Sequence, residues 1–243
     1  MWASFAPYAF DQIVNQAAKL RYMSGGQARI PLVLRMAAGA GLRAAAQHSD
    51  TFYALFTHIP GLKVVVPGTP AEAQGLLLAA IEDDDPVVFI EHMALYRDRG
   101  PVPETMAPLP LGRCAVVREG SDVTIACVGQ ALAAGRAAAA ELAGDGVEAE
   151  VISLRTTSPL DVDGLVASVR RTGALVVVDE SPPRCSVASE VAASVTEVAF
   201  ESLRAPVARV TAASSPVPFS PVLEDAWLPQ AADVIAAVHR IPA

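Results

Sequence analysis

The sequence is poor in aromatic residues and cysteines, and it has no long apolar run. Aromatic residues make up 5% of the 243 residues and hydrophobic residues 52%, so Ala, Val and Leu must fill the core. Cys114, Cys127 and Cys185 form no CxxC pair, which argues against a disulfide framework and predicts a cytoplasmic protein. The longest apolar runs, such as 76–81, are too short to span a bilayer, and the N-terminus has no signal-peptide pattern, so we expect no membrane partner.

Positive charge is also scarce. The 26 Asp and Glu residues outnumber the 18 Lys and Arg residues, and the formal net charge is -8. No basic stripe offsets this imbalance, so a nucleic acid partner is not expected. The chain is nevertheless long enough for one large or two medium domains with a substantial core.

Helical and strand patterns alternate along the first hundred residues. Apolar residues recur near the helical period over Pro7–Leu20, and the continuous apolar run Ile30–Met36 is typical of a buried strand. Thr69 and Pro70 are suited to begin another helix. Because no strand pattern precedes the first helix, we expect the opening elements of the sheet to come from another segment or another subunit. Further patterns predict a helix at 53–57 and strands at 62–67 and 86–92.

A second alternating series follows the Pro- and Gly-rich stretch 97–112, which we interpret as a linker between a domain at 1–96 and a domain at 113–243. Asp161 is placed to cap a helix that Gly173 ends. Both series predict an α/β fold with parallel sheets, and the second is predicted to be doubly wound. The second series comprises strands at 122–129, 148–154, 174–180 and 206–212 and helices at 131–146, 161–173 and 186–200.

The segment Gly39–Ala44 reads G-x-G-x-x-A directly after a predicted strand. A dinucleotide site would also need a helix whose N-terminus faces the pyrophosphate and an acid at the tip of the next strand. The next strand ends in KVVVPGTP, without an acid. A free-standing nucleotide-binding oxidoreductase is therefore an alternative that rests on the glycine pattern alone.

His48 lies just after the predicted strand 30–36, among small residues that would let a ligand approach the backbone. Open α/β sheets bind ligands at the carboxyl ends of their strands. An imidazole there could donate to a developing oxyanion or carry a proton. A histidine packed for structural reasons is the alternative.

Four acids, Glu82 to Asp85, follow a predicted helix. They lie at the negative end of the helix dipole, which is unfavourable unless water or a cation compensates. Free carbonyls and carboxylates suit a hard cation. A solvated acidic turn is the alternative interpretation.

The chain contains five long segments with a recognisable order of motifs, at residues 10–27, 45–50, 58–92, 110–125 and 150–161. Together they resemble the β subunit of the thiamine-diphosphate-dependent 2-oxo acid dehydrogenases. This subunit belongs to the first component of the pyruvate, branched-chain and acetoin dehydrogenase complexes, a branch of the transketolase superfamily. The resemblance extends over the whole chain.

The resemblance implies a partial thiamine-diphosphate-binding domain of the pyrimidine type, followed by a doubly wound domain of the transketolase C-terminal type. It also implies a heterotetramer with an α subunit that holds the diphosphate and Mg²⁺, contact with a lipoyl acyltransferase core, and a small 2-oxo acid or acetoin as substrate. His48 matches the active-site histidine of the family, and Phe5 matches an aromatic residue beside the aminopyrimidine ring. A structural K⁺ site matches Leu32, Ala80, Ile81, Asp83 and Asp85.

Several positions depart from the family pattern. The glutamate that activates the cofactor lies in a part of the family's β subunit with no counterpart here, so the chain alone is expected to be inactive. Asp50 stands where glutamine is usual, and Arg184–Val187 replaces a glycine-rich turn. The sequence thus predicts a fragment or split form of this β subunit. The alternative is a non-catalytic assembly or regulatory paralogue.

Overall fold

The computed structural model describes residues 1–101 and 107–242, so residues 102–106 of the predicted linker lie outside the described part. This described part contains two β-sheets, and helices pack against each of them. The strands are β1 (Val33–Ala38), β2 (Lys63–Val65), β3 (Val87–His92), β4 (Ala115–Arg118), β5 (Val123–Cys127), β6 (Ala149–Ser153), β7 (Thr156–Ser158), β8 (Leu175–Asp179) and β9 (Ala208–Thr211).

In the described part of the chain, eight α-helices precede, connect or follow these strands. None of them, within the described residues, combines the length and the apolar character needed to cross a membrane. They are α1 (Leu20–Met23), α2 (Tyr53–Thr57), α3 (Pro70–Glu82), α4 (Ala131–Gly144), α5 (Val162–Thr172), α6 (Val187–Ala199), α7 (Pro221–Trp227) and α8 (Ala231–Val238).

The first sheet has the strand order β1-β3-β2-β7. Strands β1 and β2 both pair in parallel with β3, which confirms the predicted parallel arrangement. The antiparallel strand β7, which the sequence analysis did not predict, comes from the C-terminal half of the chain and pairs with β2. Its residues, Thr156 to Ser158, are polar, so no apolar pattern marks it as a strand. The predicted strand 30–36 begins later, at Val33, and continues to Ala38.

The second sheet has the order β4-β6-β5-β8-β9. Its four inner and C-terminal strands are parallel as predicted, whereas the edge strand β4 runs antiparallel to β6. The Asp161 side chain accepts from the Gly164 N–H and so caps α5, and Gly173 (φ +70°) ends it. Both predictions are confirmed. Helices α7 and α8 were not predicted.

The N-terminal segment is helical but irregular. A 3-10 helix at Ala3–Ala9 precedes a π-helix at Gln12–Ala17, where the sequence predicted one helix over 7–20. Pro7 has no N–H to donate, which disfavours a regular α-helix through it. Trp2 forms a parallel bridge with Ala37, so the chain enters beside β1.

The two halves of the chain share one hydrophobic core. A single cluster contains Val64 and Val88 from the first sheet and Ile152 and Val177 from the second. Helices α4 and α8 cover the opposite face of the second sheet. Because one core joins both sheets, they form a continuous packed unit around the carboxyl end of β1.

Gly39, immediately after β1, touches a buried histidine. A Cβ at this position would lie 1.9 Å from His92 Nε2. The Nδ1 of His92 accepts from the Ala94 N–H at 3.2 Å, so Nε2 carries the proton and donates to Glu180 at 2.6 Å. The ring is fixed at both nitrogens and has little room to move aside.

We therefore expect Gly39→Ala to destabilise the protein more than Gly25→Ala does. Both glycines have positive φ, +94° and +65°, but nothing lies within 4 Å of a Cβ at Gly25. Gly25→Ala should cost about 1–2 kcal/mol for the left-handed backbone, and Gly39→Ala about 1–3 kcal/mol more for overpacking. Urea denaturation of both variants measures the difference, and equal losses would contradict the role of the His92 contact.

Candidate functional site

His48 lies in the loop 39–52, which joins the carboxyl end of β1 to α2. A turn built on Ala45 presents it: the Ala45 carbonyl accepts from the His48 N–H at 3.3 Å and from the Ser49 hydroxyl at 2.7 Å. Arg43 and Ala45 both have φ of +59°, a conformation that costs non-glycine residues energy. The loop therefore needs contacts from outside to hold this shape.

Two aromatic rings contact the His48 imidazole. The ring centroids of Trp2 and Phe5 lie 5.4 and 5.2 Å from that of His48, with interplanar angles of 87° and 64°. Such edge-to-face contacts restrict the orientation of the ring. Phe5 was expected at the site from the resemblance, whereas Trp2 was not. His48 is half-buried, and its ring makes no hydrogen bond within the described residues.

Asp50 and Ser4 add polar atoms beside this aromatic cluster. Burial raises the pKa of the Asp50 carboxyl above its ordinary value, and the nearby Ser4 hydroxyl offsets part of the shift. The Ser4 Oγ is buried and makes no hydrogen bond of normal geometry within the described part. An unpartnered buried hydroxyl is rare in folded proteins. The cluster thus offers one polar atom that a ligand can pair.

The glycine motif 39–44 binds carboxylates of the same chain. The Ala40 N–H donates to Glu180 at 2.6 Å, and the Gly41 and Arg43 N–H groups donate to Glu224 at 2.7 and 3.1 Å. No helix follows directly, because the next one begins at Tyr53. The dinucleotide interpretation of this motif is therefore wrong: three of its amides are paired with carboxylates of the same chain, and no helix N-terminus follows it to face a pyrophosphate.

The other end of the loop is held from β8. The Thr51 and Ser181 hydroxyls lie 3.0 Å apart, and the Tyr53 hydroxyl donates to Asp179. Asp179 also accepts from two backbone N–H groups, at 2.8 and 3.0 Å. Burial raises the pKa of both Tyr53 and Asp179.

Sequence reasoning missed these partners of the loop. Asp179, Glu180 and Ser181 stand at the carboxyl end of a predicted parallel strand, where ligand and site residues gather, so a signal for them existed. Glu224 had no such signal. It lies in α7, near the C-terminus of the chain, and only the fold brings it to the loop.

The acidic turn is paired with cationic side chains. Lys63 Nζ lies 2.6 Å from both Asp83 oxygens and 3.3 Å from Asp85 Oδ2, and Arg21 Nη1 lies 2.6 Å from Asp85 Oδ1. Burial alone would raise the pKa of Asp85, but Arg21 and Lys63 together lower it. The solvated interpretation of the turn is thus incomplete, because Asp83 is only 17% exposed.

Three backbone carbonyls were also expected at this site from the resemblance. The Ala80 and Ile81 carbonyls, in the last turn of α3, accept no hydrogen bond from outside the helix in the described part of the chain, and the Leu32 carbonyl accepts from the Val87 N–H at 2.9 Å. Within the described ranges no three His, Cys, Asp or Glu side chains are arranged to hold a metal ion. A cation here would have to rely on these carbonyls.

A cavity of about 950 Å³ lies between α2 and α6, and His48 is not among its lining residues. It is lined in part by His58, Thr157, Cys185 and Glu190. The His48 cluster is half-buried and lies beside β1, at the edge of the first sheet.

Two family models match the chain: the pyrimidine binding domain of transketolase over residues 1–99 and the transketolase C-terminal domain over residues 112–234. The β subunits of acetoin:2,6-dichlorophenolindophenol oxidoreductase from Cupriavidus necator and Bacillus subtilis are 51% and 50% identical over 99% of this chain, which covers 71% and 70% of their lengths. The β subunit of the pyruvate dehydrogenase E1 component from Rickettsia felis is 45% identical, with 99% and 74% coverage.

A solved structure is also similar. The protein described as a split gene transketolase, inactive beta4 tetramer, matches with a TM-score of 0.77 and 28% identity, over 99% of this chain and 73% of that chain. Fold, family models and relatives agree. The chain therefore belongs to the transketolase-related family of β subunits found in acetoin and pyruvate dehydrogenases.

Proposed function

We propose that this chain is a β subunit of a thiamine-diphosphate-dependent acetoin or 2-oxo acid dehydrogenase that works in the cytoplasm. Residues 1–96 form its pyrimidine-binding domain, 97–112 a linker and 113–243 its C-terminal domain. One observation carries the proposal: His48, in the loop that follows the carboxyl end of a parallel strand, lies against Trp2 and Phe5 in a half-buried cluster. Family membership and this placement both support a catalytic role for His48.

The residues around His48 fit the aminopyrimidine ring of thiamine diphosphate. Aromatic faces of Trp2 and Phe5 suit a flat heterocycle, and the Ser4 Oγ, which makes no hydrogen bond of normal geometry in the described part of the chain, suits its polar edge. When bound, the cofactor supplies a carbanion that cleaves the bond next to the substrate carbonyl. Phe5 and Trp2 would orient the ring and exclude water from it.

His48 would act on the substrate oxygen. Its imidazole makes no internal hydrogen bond within the described chain, so it is free to donate one to a carbonyl oxygen that gains negative charge. A positioned histidine can also return the proton in the reverse direction. The edge contacts with Trp2 and Phe5 hold the ring in one orientation for this purpose.

The position of the cluster supports a partner subunit. It lies beside the edge strand β1, and the Tyr8 side chain, three residues after Phe5, is 93% exposed. We infer that an α subunit covers this face in a heterotetramer and holds the diphosphate with Mg²⁺. Acyl transfer would then proceed to a lipoyl acyltransferase core.

We expect His48→Ala to lower turnover about 10²-fold or more, the scale for loss of a positioned acid-base group. The assay uses the chain reconstituted with its α subunit and with any segment encoded upstream of Met1, supplied with thiamine diphosphate and Mg²⁺. Acetoin cleavage and 2-oxo acid decarboxylation are both measured. Cofactor affinity should change little, because the α subunit holds the diphosphate.

His58→Ala is the matched control, because the exposed His58 imidazole follows the C-terminal end of α2 and lies outside the aromatic cluster. It should keep nearly full activity. If the His48→Ala variant also keeps nearly full activity in a folded, assembled complex, the role of His48 is structural. If the wild-type complex is inactive with both substrates, the non-catalytic paralogue replaces our proposal.

We further propose a K⁺ site at the end of α3, formed by the carbonyls of Leu32, Ala80 and Ile81 with the carboxylates of Asp83 and Asp85. The uncapped carbonyls of the last turn support it. The ammonium group of Lys63 competes for the same carboxylates. The two cations would thus share the negative charge of the turn.

Replacing Na⁺ by K⁺ should raise the melting temperature, because an ion that binds only the folded state stabilises it by mass action. Asp83→Ala should abolish the difference between the two salts. Lys63→Met should enlarge it, because it removes the competing ammonium group. Calorimetry in matched chloride salts measures the shift, and an identical melt in both salts for wild type and Lys63→Met would exclude the site.

A further inference from the structure

We infer that Glu180 and Glu224, from the C-terminal half of the chain, are positioning residues for His48. This inference rests on the proposed function. Together with Asp179 and Ser181 they form what we call the clamp, defined by residues Asp179, Glu180, Ser181 and Glu224. The clamp contacts the His48 loop before and after the histidine and touches neither the His48 ring nor the aromatic cluster through any hydrogen bond in the described residues.

The first arm of the clamp holds residues 40–43. Glu224 has no exposed side-chain area and accepts from the Gly41 N–H, the Arg43 N–H and Arg43 Nη1, at 2.7, 3.1 and 2.6 Å. Glu180 accepts from the Ala40 N–H and from His92, both at 2.6 Å. Hydrogen bonds that a loop donates to buried carboxylates are among the strongest it can make.

The second arm holds the residues after His48. The hydroxyls of Thr51 and Ser181 lie 3.0 Å apart, and the Tyr53 hydroxyl donates to Asp179. His48 thus lies between two residues that the clamp holds, Arg43 and Thr51. The short segment between them leaves little freedom for the imidazole to move. Because the clamp belongs to the second sheet and α7, the C-terminal half determines where the loop stands over the first sheet.

Backbone strain explains why the loop needs the clamp. Arg43 and Ala45 have positive φ, and the Ala45 carbonyl carries the turn that presents His48. Without the carboxylates, these two residues can return to ordinary backbone conformations. The turn on Ala45 would then open, and the imidazole would leave its place between Trp2 and Phe5.

The test compares Glu224→Gln with Glu72→Gln. Glu72 is an equally suitable buried carboxylate: it is 3% exposed and accepts from the Gly68 N–H, Ser153 Oγ and Arg155 Nε at 2.9, 3.0 and 2.9 Å. It also joins the two halves of the chain but does not contact the loop 39–52. Both variants should lower the melting temperature, so stability alone does not separate them.

The loop itself provides the separating measurement. Hydrogen exchange of the full chain should show amides in 40–45 exchanging at least about 10-fold faster in Glu224→Gln and unchanged in Glu72→Gln, because only the first loses loop hydrogen bonds. Modification of His48 by diethyl pyrocarbonate should accelerate in the same variant alone. Glu180→Gln provides a second variant of the clamp if Glu224→Gln fails to fold.

Kinetics of the reconstituted complex complete the test. Glu224→Gln should lower kcat about 10-fold or more with little change in KM, because binding surfaces stay while the imidazole is displaced. Glu72→Gln should keep kcat near the wild-type value. Equal losses of kcat, or unchanged exchange and His48 modification in both clamp variants, would overturn the inference. An inactive wild-type complex with normal differences in exchange would instead contradict the proposed function.

Discussion

Three buried carboxylates, those of Glu72, Glu180 and Glu224, hold the two sheets of this protein together. Burying a carboxylate costs several kcal/mol of folding free energy unless hydrogen-bond donors surround it. Each of these three carboxylates accepts from a donor in the other half of the chain. The two halves therefore cannot separate without leaving charges unpaired. The shared apolar core adds affinity between the sheets, but the carboxylates determine their registration, because hydrogen bonds have direction and apolar contacts do not.

This constraint reaches the candidate site through the backbone. His48 follows β1, yet the strand alone does not determine its position, because two glycines and two non-glycine residues with positive φ separate it from the strand end. The loop keeps that shape only while its N–H groups are paired with Glu180 and Glu224. If His48 acts on a substrate oxygen as we propose, its ring requires such support. Under that proposal the C-terminal half contributes to the chemistry by positioning the loop that carries His48.

The sequence predicted what is local and missed what is distant. Helix α2 was predicted at its observed bounds, and Thr69 caps α3 as expected, because periodicity and capping depend on neighbouring residues. Two ion pairs depend on contacts across the fold: Lys63 with Asp83, and Arg43 with Glu224. No pattern along the chain predicts either pair. Strand β7 is intermediate: it is regular, but too polar to be recognised.

Asp50 illustrates how the site differs from the pattern that the resemblance suggested. Glutamine both donates and accepts hydrogen bonds, and a carboxyl group does so only when it is protonated. Burial raises the pKa of Asp50, so the folded state binds its proton more tightly than the unfolded chain does. Stability from this group is therefore present at low pH and is lost as the pH rises through the raised folded pKa. Above that range this position, two residues after His48, carries a half-buried negative charge where glutamine would be neutral.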